Sequence, residues 1–202
     1  MDQHKPVIRT ATKGDERLLG NILGDAFYDD AAFNWVIPPQ SLYPGFFTMI
    51  VRQLYLQHGH AYIESQGRGA ALWLPPGVSA HLPASLAQWW LVLRLVLKEG
   101  PDVLKRLQQA EQTMSRYHPS EPHYYLHAIG ARRQNQGQGI GSALLKEVTR
   151  KCDEECMPAY LESSSERNAE LYQRHGFEIF DEQPVGKGGP PLKFMWRSPI
   201  EK

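Results

Sequence analysis

The sequence predicts an α/β domain in which strands and helices alternate along 202 residues. Three observations carry that expectation. Tyr124–Ala131 reads as an apolar strand that runs into the glycine-rich turn Gln136–Ser142. Beyond it, Ile140, Leu144, Val148 and Cys152 recur every four residues, the apolar stripe of an amphipathic helix. A second apolar strand, Ala159–Ser163, leads through the polar turn Ser164–Asn168 into a helical segment, Ala169–His175, that ends at Gly176. No repeat or linker divides the chain, so one domain over 1–202 is expected.

The remaining elements follow in order. Val7–Thr10 is a first strand, and Thr12 with Asp15 is a capping-box start for a helix with the stripe Leu18, Leu19, Ile22, Leu23, Ala26 and Phe27. Asp29–Pro39 reads as a loop whose acidic pair, with Phe33 and Trp35, suits a binding mouth. Leu42, Phe46, Phe47, Ile50, Val51 and Leu54 mark a second helix. Ala61–Glu64 and Ala70–Leu74 are strands around the hairpin signal Gly67-Arg68-Gly69, closed by Pro75-Pro76-Gly77 because proline lacks the ladder N–H. Residues 79–118 are expected to be helical with a break at Gly100-Pro101. Phe177–Phe180 and Leu192–Trp196 are closing strands around the loop Gly186–Pro191.

Composition bounds the function. Apolar residues make up 42% and charged residues 22%, ordinary for a globular chain. Lys+Arg and Asp+Glu both number 22, so no overall charge draws the chain to nucleic acid or an anionic membrane, and neither is expected as a partner. The sequence leaves room for a local basic patch around Lys146, Arg150 and Lys151. Cys152 and Cys156 lie four apart on one predicted helix face and read as buried packing residues, and a chain without a cysteine framework fits a reducing cytoplasm. The start, Met1–Pro6, lacks the apolar segment of a secretory signal. Leu86–Leu97 is very apolar, but about 20 residues are needed to cross a bilayer, and it carries Arg94. It reads as a buried or substrate-covering helix, with Trp89, Trp90, Trp73 and Tyr117 favoured as core residues. No histidine pattern has metal-ligand spacing, and no metal is expected.

A strand, a glycine-rich turn and a helix start together make a phosphate cradle. The first turn of a helix has unpaired N–H groups and partial positive charge, and glycines let an anion approach closely. No Lys follows a glycine as a nucleotide triphosphatase loop requires, and Ser142 stands where a dinucleotide fingerprint needs glycine. What fits is Gln-x-x-Gly-x-Gly, with Gln136, Gly139 and Gly141 at the defining positions.

That pattern resembles the coenzyme A pyrophosphate loop of the GNAT N-acetyltransferase superfamily, and Leu161-Glu162, Asn168 and Leu171–Phe177 look like the second half of the same core. Within the superfamily the chain is most similar to the puromycin N-acetyltransferase-like group, through Ala71–Gly77, the helical insertion 79–118 and the two motifs. Arg133 departs from that group, where a proline is frequent. The resemblance implies a mixed, mostly antiparallel sheet splayed at the cofactor site, acetyl-CoA as cosubstrate, and direct transfer to the primary amine of a small molecule by a monomer or homodimer. A peptide or protein amine and a non-catalytic acyl-CoA sensor are the alternatives.

The resemblance also assigns residues. Backbone groups at Ile129, Gly130 and Ala131 would pair with the pantetheine, as an added strand does. Gln136, Gly137, Gln138, Gly139, Ile140, Gly141 and Ser142 would hold the pyrophosphate, and Asn168 would help bind coenzyme A or order the turn. Tyr172 takes the place of the general acid to the departing thiolate; a phenol is protonated at neutral pH. An amine attacks only as the free base, so a base is needed. His127, expected on the same strand face as Ile129, and Glu162, on the opposing strand, are the two candidates. Whether the insertion packs on the sheet, roofs an acceptor pocket, or does both is open at this point.

Overall fold

Residues 5–82 and 84–200 are described by the computed structural model. Of the segment read for a secretory signal, residues 1–4 therefore lie outside the described residues. The chain opens with β1 (Ile8–Thr10) and α1 (Glu16–Ala26). Thr12 and Asp15 form only one half of the expected capping box: Asp15 Oδ2 accepts from the Thr12 N–H at 2.9 Å, and the helix begins beyond Asp15. The Arg9 guanidinium donates twice to the Asp15 carboxylate at 2.8 Å and holds its pKa well below the usual range.

The segment expected as a loop at 29–39 contains a helix, α2 (Ala31–Val36). Asp30 caps it, its Oδ1 accepting from the Phe33 N–H at 2.8 Å. The predicted second helix is α3 (Tyr43–Ile50), which continues through a π-helical turn, Val51–Tyr55, into α4 (Leu56–His58). Gly24 brings α1 against α3, because a Cβ there would lie 2.9 Å from Pro44 Cγ. The hairpin β2 (His60–Glu64) and β3 (Gly69–Leu74) forms as expected around Gly67, whose φ is 71°.

In the insertion, helix begins at Leu86 and not at 79, because Ser85 caps α5 (Leu86–Glu99) by accepting from the Gln88 N–H at 3.2 Å. Gly100, with φ 78°, breaks the chain before α6 (Asp102–Tyr117). One face of α5 packs inward through Leu95, while Leu86, Trp89, Trp90, Leu93 and Leu97 remain 46–82% exposed. The expectation that Trp89 and Trp90 are core residues is thus corrected: nothing among the described residues covers the outer side of this helix. Trp73 is fully buried as expected, and Tyr117 stacks on Phe194 at 4.8 Å. No described helix is long and apolar enough to cross a membrane.

The second half contains β4 (Tyr124–Ala131), α7 (Ile140–Glu154), β5 (Ala159–Ser163), α8 (Glu166–Gln173), β6 (Glu178–Pro184) and β7 (Pro191–Arg197). The described strands make one seven-stranded sheet in the order β1-β2-β3-β4-β5-β7-β6, with β4 and β5 parallel and every other pair antiparallel. The apolar stripe of α7 is buried against one face, with Ile140, Leu144, Val148 and Cys152 at 0–1% exposure, and α1, α3 and the insertion pack with the core of the other. Cys156 is a correction: α7 ends at Glu154, and Cys156 lies beyond it at φ 50°, exposed. The expected basic patch is offset by acidic neighbours, Arg150 pairing with Glu154 at 2.7 Å and Lys151 approaching Glu155 at 3.8 Å. Helix α8 starts earlier than predicted because Ser165 caps it, which moves Asn168 into its first turn and leaves His175 beyond its end. Gly176 adopts the expected left-handed conformation, φ 85°.

Candidate active site

The site begins where the sheet divides. β4 and β5 pair only through Tyr124–Leu126 and Ala159–Leu161; further along, β4 stays on β3 and β5 on β7. Arg132 N–H donates to Arg68 O at 2.8 Å, and hydrogen-bonded pairs alternate along an antiparallel ladder. The polar backbone of Gly130, opposite Ala70, consequently faces β3, while that of Ile129 and Ala131 faces the opening. Of the three predicted strand residues, Gly130 alone is turned away. A Cβ there would sit 2.4 Å from Ala26 Cβ, so its glycine serves the packing of α1 on the sheet.

The glycine turn follows the opening. Gly137 and Gly139 both have φ 76°, a conformation glycine adopts without strain, and a Cβ on either would meet nothing within 4 Å. The first α7 hydrogen bond runs from Ala143 N–H to Gly139 O at 3.0 Å. The N–H groups of Ile140, Gly141 and Ser142 therefore lack helical partners and carry the positive end of the helix dipole. Open space above unpaired amides suits a diphosphate. The Ile140 side chain itself is buried, and Ser142 Oγ is hydrogen-bonded to His175 Nε2 at 2.7 Å. Arg167 donates to Gln136 Oε1 at 3.2 Å, which brings a cation to the rim of this turn. Gln138 reaches Gln134 O at 3.5 Å. Arg133 ties the start of the turn to α1 through Asp25, its backbone N–H donating at 2.9 Å and its side chain at 3.2 Å.

From the opening a chamber of about 460 Å³ runs between the sheet and the insertion. Phe27, Phe33, Phe47, Leu91 and Leu95 give it an apolar wall, and α5 and α6 roof it. The insertion therefore both packs and covers. The chamber meets an outer vestibule of about 880 Å³, the two sharing Glu111, Tyr125, His127 and Glu162 among their walls. Asp30 and Phe33 from the predicted mouth reach the chamber, whereas Trp35 packs against the glycines at 186 and 189.

Tyr172, Asn168, His127 and Glu162 all line this chamber. Glu162 stands on β5, where each carboxylate oxygen accepts one phenol: Tyr125 to Oε2 and Tyr160 to Oε1, both at 2.9 Å. Burial raises its pKa to about 7, and the phenols, which favour the charged form, oppose that rise. Tyr172 is 6% exposed, and its hydroxyl makes no hydrogen bond among the described residues. Burial first, then the Asp30 charge, raise its pKa above the ordinary phenol value, so it holds its proton at neutral pH.

His127 departs from its expected orientation. Between Leu72 and Trp73 the β3 partner on β4 jumps from Ala128 to Leu126, so His127 is the extra residue of a β-bulge. The bulge resets the side-chain alternation. His127 stacks on Tyr125 at 5.7 Å, while Ile129 packs with the α7 side of the sheet. Its Nδ1 is hydrogen-bonded to the Tyr55 hydroxyl, and desolvation lowers its pKa to about 4. An imidazole so acidic is a weak base at neutral pH.

Tyr125, Tyr160, Tyr55 and Arg167 were not anticipated, whereas a roof over the chamber was one of the open readings of the insertion. Tyr160 alone had a readable signal, since residues two apart on a strand share a face. The others depend on strand pairing and on the π-helical turn. Among the described residues no group of three His, Cys, Asp or Glu is placed to hold a metal.

Residues 106–179 match the family model of the acetyltransferase (GNAT) domain. An uncharacterized N-acetyltransferase of Schizosaccharomyces pombe is 35% identical over 83 residues, 38% of this chain and 32% of that protein, so the match spans about a third of the relative's length. Over nearly the whole chain the fold is similar to the crystal structure of histone acetyltransferase HPA2 and related acetyltransferase from Corynebacterium glutamicum, with TM-score 0.69, 24% identity and coverage of 98% of this chain and 99% of that one. It is also similar to arylalkylamine N-acetyltransferase 2 from Aedes aegypti, with TM-score 0.63, 12% identity and coverage of 96% and 99%.

Proposed function

We propose, from the match of residues 106–179 to the GNAT acetyltransferase domain and from the geometry of the chamber, that the protein moves the acetyl group of acetyl-CoA to the primary amine of a small molecule with an apolar body, by direct attack with both substrates bound. The observation that carries this reading is the position of Glu162: a carboxylate with pKa raised to about 7, gripped by two phenols, in the wall of the apolar chamber that Tyr172 also lines. Catalytic bases work best with a pKa near the working pH. The roof of α5 and α6 favours a small acceptor over a peptide chain, and the insertion is one of the features by which the sequence resembles the puromycin N-acetyltransferase-like group.

Acetyl-CoA supplies the activated acyl group. The amides of residues 137–142 and the open edge at Ile129 and Ala131 suit its diphosphate and its pantetheine amides. The apolar wall desolvates the amine, and Glu162 accepts the proton that the nitrogen must lose. Tyr172 provides a proton for the departing sulfur, whose thiolate is otherwise a poorer leaving group. Each proton thus has one donor and one acceptor.

Release of free thiol from acetyl-CoA, measured across a panel of apolar monoamines, polyamines and N-terminal peptides, tests the proposal. Turnover confined to the small apolar amines supports it. Peptide turnover alone, or acyl-CoA binding with no turnover of any amine, refutes it in favour of a peptide acetyltransferase or a sensor respectively.

A further inference from the structure

His127 Nδ1 is held by the Tyr55 hydroxyl, which the π-helical turn brings against β4. Tyr55 is 1% exposed, and its hydroxyl has no other partner among the described residues. If Tyr55 accepted a proton from Nδ1, its own O–H would be buried without an acceptor, an arrangement folded proteins avoid. The hydroxyl therefore donates and Nδ1 accepts. A neutral imidazole that accepts at Nδ1 carries its proton on Nε2. Nε2 makes no hydrogen bond among the described residues and is not one of the buried unpartnered polar atoms, so it opens on the cavity that His127 lines. Stacking on Tyr125, with the rings 13° from parallel, fixes the ring plane. The bulge sets this group just past Leu126, the last β4 residue paired with β5.

We propose that Tyr55 locks His127 as the Nε2–H tautomer, and that His127 acts as a hydrogen-bond donor in the chamber, directed at the acyl carbonyl oxygen as it gains negative charge. The inference rests on the acetyl-transfer reading and deepens it. A ring in this state has no lone pair to offer an ammonium, because Nδ1 is filled by the Tyr55 proton and Nε2 holds its own. With a pKa lowered to about 4 by desolvation, it stays neutral around physiological pH. As the amine nitrogen bonds to the acyl carbon, the C=O electron pair moves onto oxygen and meets Nε2–H. The amine's proton goes to Glu162. When the C–S bond breaks, its pair leaves with sulfur, which is protonated by Tyr172. Preorganised neutral donors of this kind stabilise developing charge. Tyr55 is the positioning residue.

Nitrogen-15 NMR of the full chain with labelled histidine tests the tautomer without any substrate. The expected spectrum at pH 7 shows His127 protonated at Nε2 and unprotonated at Nδ1, with the preference lost in Tyr55→Phe. A proton on Nδ1, or an imidazolium, overturns the proposal. Should the wild-type protein acetylate no amine, the acetyl-transfer reading fails while the tautomer assignment is still decided by the spectrum. In turnover, His127→Ala is expected to lose about 10²-fold in kcat with the acidic limb of the pH profile retained, as removal of one such donor does elsewhere. His127→Gln, which restores an N–H at similar reach, should recover most of that loss. Equal losses in both variants, or disappearance of the acidic limb, overturn the donor role.

Discussion

Tyr160 donates to Glu162 Oε1 at 2.9 Å from two residues earlier on the same strand, and so faces a carboxylate whose pKa burial raises to about 7. Tyr125 satisfies the other oxygen from the neighbouring strand. The pair stabilises the ionised form that must accept a proton, while the surrounding apolar wall penalises it. Removing one phenol leaves the penalty less opposed. Tyr160→Phe should therefore move the acidic limb of kcat/KM upward, by about one pH unit for the loss of a charge-assisted hydrogen bond. A limb that stays in place would dissociate Tyr160 from the tuning of Glu162.

The same raised pKa has a stability consequence. Native Glu162 keeps its proton up to about pH 7, whereas the unfolded chain releases it near the ordinary value of 4.5. Between those points the native state binds more protons, so the stability contributed by this group is complete at low pH and lost as pH rises through 7. Glu162→Gln should then gain roughly 1–3 kcal/mol relative to wild type between pH 5 and pH 8, as read by denaturant melts. A difference independent of pH would contradict the shift.

Tyr172→Phe keeps the ring and removes only the hydroxyl that opens on the chamber. Turnover should fall by about 10²-fold while acetyl-CoA affinity, measured by calorimetry, changes little. Unchanged turnover would remove Tyr172 from the role of acid.

Gly139 tests the cradle. With φ 76° and open space where a Cβ would stand, Gly139→Ala meets no clash but must adopt left-handed backbone, at a cost of about 1–2 kcal/mol. The turn is expected to relax away from this conformation, and acetyl-CoA binding should weaken by about tenfold. Affinity equal to wild type would show that these amides do not grip the diphosphate.

Much of this arrangement was legible in local sequence. Tyr124–Ala131 and Ala159–Ser163 were bounded correctly because continuous apolar runs between turns leave little latitude, and the four-residue stripe of α7 fixed both the helix and its buried face. Less local features escaped. The run Ala32, Phe33, Val36 held a short helix, but flanking aspartates and prolines read as loop. The apolar length of α5 read as a buried or substrate-covering helix with Trp89 and Trp90 in the core, yet a helix lying as a roof over a sheet buries only its lower side and leaves both exposed. His127 was assigned a face by simple alternation, and a bulge, which depends on how two strands pair, reversed it. The phenols around Glu162 come from two strands whose neighbourhood no single segment reveals.

The most direct test of the central claim is the pH dependence of kcat/KM for a small apolar amine, compared between wild type and Glu162→Gln. The expected result is a wild-type acidic limb with its midpoint near pH 7, set by the Glu162 carboxyl. In the variant that limb should be absent, with rates lower by about 10²- to 10⁴-fold. An acidic limb of the same midpoint in Glu162→Gln would contradict the account, because the proton would then be leaving through another group.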